Sequence, residues 1–344
     1  MTTNIIDRKE RPAIDPKEFK GDIHPDWCPG CGDFGVLNCL QRALAELGIP
    51  QHEIAIISGI GCSSNLPGFI NTYGMHTLHG RALPNAQGFK LSHHDMTVIA
   101  VGGDGDGYGI GVGHFVHALR RNVDLTYIVM NNSIYGLTTG QTSPTSDIGM
   151  KTKSTPFGNP EAPLNPMTLA LGSGASFVSR AFTGNPKQTV DIYKAAIKHK
   201  GFALVDTFSP CVTFNNNVGS TKSYDYVREH VEATGTVDFV PMAEEIKASY
   251  TEGNNTLVKM HDGSYLELHK LATDWNPQDR ISASMALQQA RAKGEILTGL
   301  LYVNTDYHEL HETLGTTLTP LNELTEKDLC PGAEALSDIN AGLR

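Results

Sequence analysis

The feature that most constrains how this chain can fold is the run MTVIAVGGDGDGYGIGVGHFVHALRRN, residues 96–122. An apolar strand runs directly into a loop carrying seven glycines in residues 101–113, and an amphipathic helix follows. Its apolar positions Val112, Phe115, Val116 and Leu119 are spaced as one helix face requires. So many glycines give up side-chain packing and backbone order. The run therefore predicts a ligand that comes close to the main chain, and it must also explain two aspartates, Asp104 and Asp106.

The same unit recurs. WCPGCGDFGVLNCLQRALAELG opens on turn residues and continues as a helix with the stripe Val36, Leu37, Leu40, Ala43, Leu44 and Leu47. EIAIISGIGC, DLTYIVMNNSIYG and FALVDTFSPC read as buried strands, and PKQTVDIYKAAIKHK as the helix before the last of them. Strands alternating with helices predict an α/β fold, a parallel sheet with helices on both faces. Ligands bind such sheets outside the carboxyl ends of the strands. The glycine loop, Asn131-Asn132, Cys62 and Cys211 all fall there. The chain divides into an N-terminal arm over 1–23, the α/β domain over 24–230, and an extension over 231–344 that packs on the core or on a partner. Within the extension, LATDWNPQDR reads as a turn before the helix SASMALQQARAKG.

The 344 residues carry a net charge of −10, which argues against nucleic acid or an anionic membrane as the main partner. No apolar run approaches the roughly 20 residues of a membrane span. MTTNIIDRKERPAIDPKEFK lacks the apolar core of a signal peptide, so a cytoplasmic location is expected. In a reducing compartment six cysteines suggest metal or redox chemistry.

The glycine loop is not a P-loop, because no Lys-Ser/Thr follows it. GDGDGYG can be forced onto a dinucleotide fingerprint, but an aspartate would then face the pyrophosphate, and two like charges need a cation between them. Gly103-Asp104-Gly105 is followed 25 residues later by Asn131-Asn132. A carboxylate, an amide oxygen and a main-chain carbonyl suit Mg²⁺, and helix N-terminal amides suit phosphate. This arrangement resembles the diphosphate-binding motif of thiamine diphosphate enzymes. The resemblance implies Asp104, Asn132 and the carbonyl of Ile134 as Mg²⁺ ligands, and leaves Asp106 as a supporting acid or a solvated loop residue.

Cys28-x-x-Cys31 in WCPGCG stands apart from Cys62 and Cys211. Four thiolates suit a structural zinc or an iron–sulfur cluster. One pair plus two scattered cysteines fits a cluster better, although spacing does not decide it. Taken with GIGCSS, HTLHGRALPNAQGFKL, GGDGDG, RRNVDLTYIVMNNSIYGLTTGQTSPTS and SPCVTFN, these residues resemble the β subunit of 2-oxoacid:ferredoxin oxidoreductases across most of residues 24–216. The resemblance implies a thiamine diphosphate-binding fold and one [4Fe–4S] cluster on Cys28, Cys31, Cys62 and Cys211. Cys39 and Cys330 are bystanders. It implies cofactor contacts from Gly103, Asp104, Gly105, Asp106, Asn132, Ile134, Gly136, Leu137 and Thr138. His79, Leu137, Thr139 and Asn65 would face the reacting groups.

The implied activity is oxidative decarboxylation of a 2-oxoacid with coenzyme A, electrons leaving through the cluster to ferredoxin, possibly reversed as reductive carboxylation. The wording YGLTTGQTSPTS favours 2-oxoglutarate over pyruvate or a broad range. A dicarboxylate wants a distal cation. Asn65 and Thr139 stand where some relatives place lysine, which leaves Arg81 or a partner. The carboxylate that acts on the aminopyrimidine lies in the family on an α subunit, so an α₂β₂ assembly is expected. Two other readings stay open. One is a non-redox thiamine diphosphate carboligase or decarboxylase with a structural zinc. The other is a zinc-stabilised binding module without catalysis.

Overall fold

The strand runs assemble into one eight-stranded sheet in the order β2-β1-β3-β4-β8-β7-β13-β9. In the computed structural model, residues 11–240, 255–259, 265–270, 275–317, 319–330 and 332–343 are described. β1 (Ile54–Ser58), β4 (Leu125–Asn131) and β8 (Phe202–Phe208) are buried along their whole length, and β3 (Thr97–Gly103) everywhere but its ends. This is why they read as continuous apolar runs rather than alternating ones. These four, with β2 (Tyr73–His76) and β7 (Phe177–Phe182), are mutually parallel.

Each strand still splits its side chains between two cores. Ile99 and Val101 of β3 join the layer under α1 (Asp33–Glu46) and α5 (Pro186–Lys198). Val98 and Ala100 join the layer under α2 (Ala82–Ser92), α3 (Val112–Arg121) and α4 (Pro166–Gly172). Helices thus cover both faces. The predicted α1 stripe is buried from Val36 to Leu44, with Leu47 packed against its edge.

Residues 11–23 are draped on this body. Phe19 is fully buried, the Ile14 amide donates to Ala45 O at 2.9 Å, and Lys20 bridges to Ile70. Residues 1–10 of the expected arm lie outside the described residues. The extension contributes α7 (Arg280–Lys293) and β13 (Ile296–Val303), and β13 pairs antiparallel with β7 inside the main sheet. It also pairs parallel with β9 (Val231–Ala233), which follows α6 (Tyr224–His230). A hairpin of β5 (Ile134–Tyr135) and β6 (Gln141–Thr142) stands apart from the main sheet. So does an antiparallel trio of β10 (Gly235–Val240), β12 (Tyr265–Lys270) and β11 (Asn255–Lys259). Among the described residues no helix is long and apolar enough to cross a membrane.

Candidate active site

The loops that follow β1, β3, β4 and β8 carry most of the predicted residues, with Cys28 and Cys31 ahead of α1 and His79 between β2 and α2. After β3 the chain turns at Asp104 into one wide helical turn, Gly105–Ile110, before α3 begins. Part of the glycine content serves the protein's own packing. A Cβ on Gly105 would lie 2.2 Å from Tyr135 Cε1, and one on Gly107 would lie 2.0 Å from the Tyr127 hydroxyl. Both distances are far below contact, so those positions accept no side chain.

Asp104 is 1% exposed. Its Oδ2 accepts from Ser143 Oγ at 2.5 Å and Thr145 Oγ1 at 2.6 Å. Burial pushes its pKa up, the hydroxyls and the Asn132 amide hold it down, and nearby Asp206 pushes it up again. A buried carboxylate that receives only neutral donors and faces a second acid favours a bound cation. Asn132 is half-buried, and its Oδ1 accepts from the Ile134 amide at 3.0 Å. That turn brings the amide oxygen and Ile134 to the end of β4, beside the glycine loop. Asn131 is spent elsewhere: its Nδ2 donates to Asp206 at 3.0 Å, and its Oδ1 accepts from Thr145 Oγ1 at 3.1 Å. The residues present fit a divalent cation with a diphosphate.

Asp106 is not a solvated loop residue. It is 2% exposed, and its Oδ1 accepts from the amides of Ile60 at 3.0 Å and Gly80 at 2.7 Å. The same oxygen lies 2.6 Å from His79 Nδ1. Its Oδ2 is buried without a hydrogen-bond partner. Gly59 must lack a side chain here, since a Cβ would fall 2.0 Å from that oxygen. Asp106 thus ties the loops after β1 and before α2 to the glycine loop and orients His79. His76 turns to Ser58, Oγ to Nδ1 at 3.0 Å.

Of the four predicted cysteines, Cys62 and Cys211 both lie beside Gly136, Cys31 is half-buried and Cys28 is exposed. Cys31, Cys62 and Cys211 have raised pKa values, Cys62 to about 11, with burial first among the causes. Charge on Cys211 and Cys62 adds to the rise at Cys31, charge on Cys211 and Cys28 to that at Cys62, and charge on Cys28 to that at Cys211. A Cβ on Gly136 would stand 3.6 Å from Cys62 Sγ and 3.8 Å from Cys211 Sγ, so the β5 loop packs against both thiols. Among the described residues no three histidine, cysteine or acidic side chains group on one point as for a single metal ion. Cys39 lies buried in α1, and Cys330 is exposed on the distant tail.

Comparison with known proteins now has a geometry to meet. Residues 52–207 match the family "Thiamine pyrophosphate enzyme, C-terminal TPP binding domain". A 2-oxoacid:ferredoxin oxidoreductase β subunit of Saccharolobus solfataricus is 52% identical over 58% of this chain and 66% of its own length. The 2-oxoglutarate synthase subunit KorB of Methanocaldococcus jannaschii is 43% identical over 55% of this chain and 70% of its own. A solved 2-oxoglutarate:ferredoxin oxidoreductase from Magnetococcus marinus superposes with a TM-score of 0.72 at 38% identity, covering 93% of this chain and 97% of that one. The chain belongs to the β-subunit family of the 2-oxoacid:ferredoxin oxidoreductases. It matches less than two thirds of the length of the first curated relatives, 66% in the Saccharolobus protein and 56% in a KorB of Mycobacterium tuberculosis.

Within this family member the remaining predicted residues sit at the rim. Asn65 is half-buried after Cys62, and its amide donates to the Cys62 carbonyl at 3.2 Å. Leu137, Thr138 and Thr139 are exposed at the tip of the β5–β6 hairpin. Thr139 holds φ at 74°, and Thr138 bonds to Gln141. Several supporting residues of the β subunit were not singled out in the sequence. Trp27 Nε1 donates to Cys62 O at 2.7 Å, and its ring meets Phe34 and Phe69 edge-on, which locks the CxxC loop onto the β1 loop. Ser143 and Thr145 hold Asp104, although TSPTS gave them no role. Asp33 is buried beneath the thiols and accepts from Ser209 Oγ. An aspartate two residues after a cysteine pair carries no distinctive signal.

Proposed function

We propose that this chain carries the thiamine diphosphate, Mg²⁺ and [4Fe–4S] sites of an enzyme that oxidatively decarboxylates a 2-oxoacid, with 2-oxoglutarate as the substrate. Coenzyme A takes the acyl group, CO₂ leaves, and the two electrons pass one at a time to ferredoxin; the reaction runs in reverse as reductive carboxylation. The observation that carries this reading is the placement of Gly136. A side chain there would touch both Cys62 Sγ and Cys211 Sγ, and Gly136 stands on the same short segment that starts at Asn132, which brings these thiols to the loops that carry Asp104. The Magnetococcus structure, described with 2-oxoglutarate, coenzyme A and succinyl-CoA bound, supports the substrate class.

Asp104, the Asn132 amide oxygen and the Ile134 carbonyl would hold Mg²⁺. Cys28, Cys31, Cys62 and Cys211 would hold the cluster. Thiamine diphosphate supplies, when bound, the electron sink that lets a 2-oxoacid lose CO₂. The chain's own residues prepare the place. Ser143 and Thr145 fix the Asp104 carboxylate, and Asp106 holds His79 by Nδ1. That leaves Nε2 of the partly exposed ring to accept or donate a proton. Ile60, Leu78 and Ile110 stand exposed around the same node, as an apolar rim for an α subunit. That subunit would bring the carboxylate for the aminopyrimidine and the cation for a distal carboxylate.

The test is a visible spectrum of the anaerobically purified chain before and after dithionite, then turnover with the α subunit. A broad band near ~400 nm that bleaches on reduction is expected of a thiolate-held cluster. Colourless protein with stoichiometric zinc sinks the redox reading. With α present, 2-oxoglutarate should exceed pyruvate in kcat/KM by tenfold or more; the opposite order reassigns the substrate.

A further inference from the structure

Behind the diphosphate site lies a second cleft, open on one side, that the proposed reaction does not use. It is a cavity of about 280 Å³, walled by the ends of β7 and β8, by α7 and by the start of β13. Asn131 and Thr145 form the wall it shares with Asp104. The volume is roughly that of nine liquid waters.

One end of the cavity holds two cations, Arg180 and Lys222, with one acid, Asp147, on the same wall. The Arg180 guanidinium carbon and Lys222 Nζ lie 4.8 and 5.0 Å from the centre of the Phe208 ring. The two charges are therefore at most about 10 Å apart, no more than one screening length. Arg180 is offset on one side by buried Asp206, which its Nε reaches at 3.0 Å. Lys222 donates to a neutral hydroxyl, Thr221 Oγ1, at 3.1 Å. The acid that most favours its charge, Asp147, already accepts from that hydroxyl. Burial pulls the lysine pKa down, Asp147 pushes it up, and Arg180 pulls it down again. Of the other charged groups at the wall, Arg291 is exposed and Glu295 lies 3.8 Å from Lys293. The opposite end is apolar, formed by Leu164, Leu287, Ala290 and Ile296.

Two cations brought together at one end of a small cavity, with aliphatic side chains at the other, match an amphipathic anion. We propose that this cavity is a binding site for a small aliphatic carboxylate, its carboxyl group between Arg180 and Lys222 and its chain against Leu287 and Ile296. The site is separate from the thiamine diphosphate site and stands whether or not the proposed activity is correct.

The probe is pentanoate, titrated by calorimetry into the full chain without thiamine diphosphate, so that the proposed active site takes no part. Saturable binding of one pentanoate per chain is expected, with pentanamide, the neutral analogue, binding at least tenfold more weakly. Lys222→Met should weaken pentanoate at least tenfold and Lys222→Arg should largely restore it. Ala290→Leu, which fills the apolar end and leaves every charge in place, should also weaken it at least tenfold. All variants are compared at wild-type thermal unfolding, and the pentanamide comparison needs no variant. Absence of saturable pentanoate binding to the wild type overturns the site. Equal binding of pentanoate and pentanamide removes the role of the cations. Inorganic phosphate that displaces pentanoate and still binds Ala290→Leu unchanged overturns the carboxylate assignment in favour of a simple oxyanion pocket.

Discussion

At the scale of single residues, two buried carboxylates do opposite work. Burial pushes the pKa of Asp104 up, only neutral hydroxyls and an amide oppose that, and the carboxyl is positioned to use a cation. Asp104→Asn keeps an acceptor for Ser143 and Thr145 but removes the charge. It should abolish the rise in unfolding temperature that thiamine diphosphate with Mg²⁺ gives the wild type, lowering cofactor affinity at least a hundredfold. A variant that still shows the full rise means that another group holds the metal. Asp33 is a liability of the chain. Burial raises its pKa to about 6, opposed by hydrogen bonds from Ser209 and Cys31 and reinforced by Asp104. A carboxyl whose folded pKa lies above its unfolded one favours folding fully below the unfolded value, and that contribution disappears as pH rises through the folded value. The window therefore runs from about pH 4 to about pH 6, and the effect is at most on the order of 3 kcal/mol. Between pH 4.5 and 7.5 the cluster-free wild type should lose more unfolding free energy than Asp33→Asn. Parallel denaturant curves at the two pH values for both proteins would show that Asp33 stays ionised in the folded state.

At the scale of elements, β13 is the piece whose importance was least legible. The apolar runs place the end of the α/β domain at 230 and leave the rest as an extension, yet β13 pairs with β7 inside the main sheet. Its residues feed both cores: Leu300 and Val303 lie in one layer, and Leu301 and Tyr302 in the other, across a register shift between Leu300 and Tyr302. That irregularity breaks the alternation a pattern search relies on. By contrast, β1, β3, β4 and β8 were legible because central parallel strands must be apolar on both faces. Glycine and cysteine positions were legible because few residue types can replace them. What stayed hidden was the supporting layer, Ser143, Thr145, Trp27 and Asp33, whose ordinary side chains matter only through distant contacts. Because Leu301 is fully buried in the layer with α7, Leu301→Ala should destabilise the protein by roughly 2–5 kcal/mol. Chemical denaturation should show the whole sheet unfolding at lower denaturant. A midpoint shift confined to a minor early phase would make the extension an independent unit.

At the scale of the whole molecule, one end of the sheet is left apolar and uncovered. The edge strand β2 is exposed at every residue, with Tyr73 and Met75 among them. Leu78 at 75%, Ile110 at 55% and Ile60 at 43% exposure surround the loop that Asp106 holds. These side chains gain nothing from standing in water, and a partner that covers them removes their apolar area from solvent. Relatives named as β subunits make an α subunit the proposed partner. The prediction follows from geometry, because the rim is adjacent to the site but contributes none of its proposed ligands. Leu78→Asp places an unpaired charge where the partner would dock, a change worth about 3 kcal/mol and more than a hundredfold in affinity. The α subunit should then fail to co-purify, and 2-oxoacid turnover should disappear with it. The anaerobic spectrum of the chain itself should stay as it is in the wild type, since Cys28, Cys31, Cys62 and Cys211 are untouched. If α still co-purifies at full yield, the partner docks elsewhere, and the exposed rim at β2 must be explained by another contact.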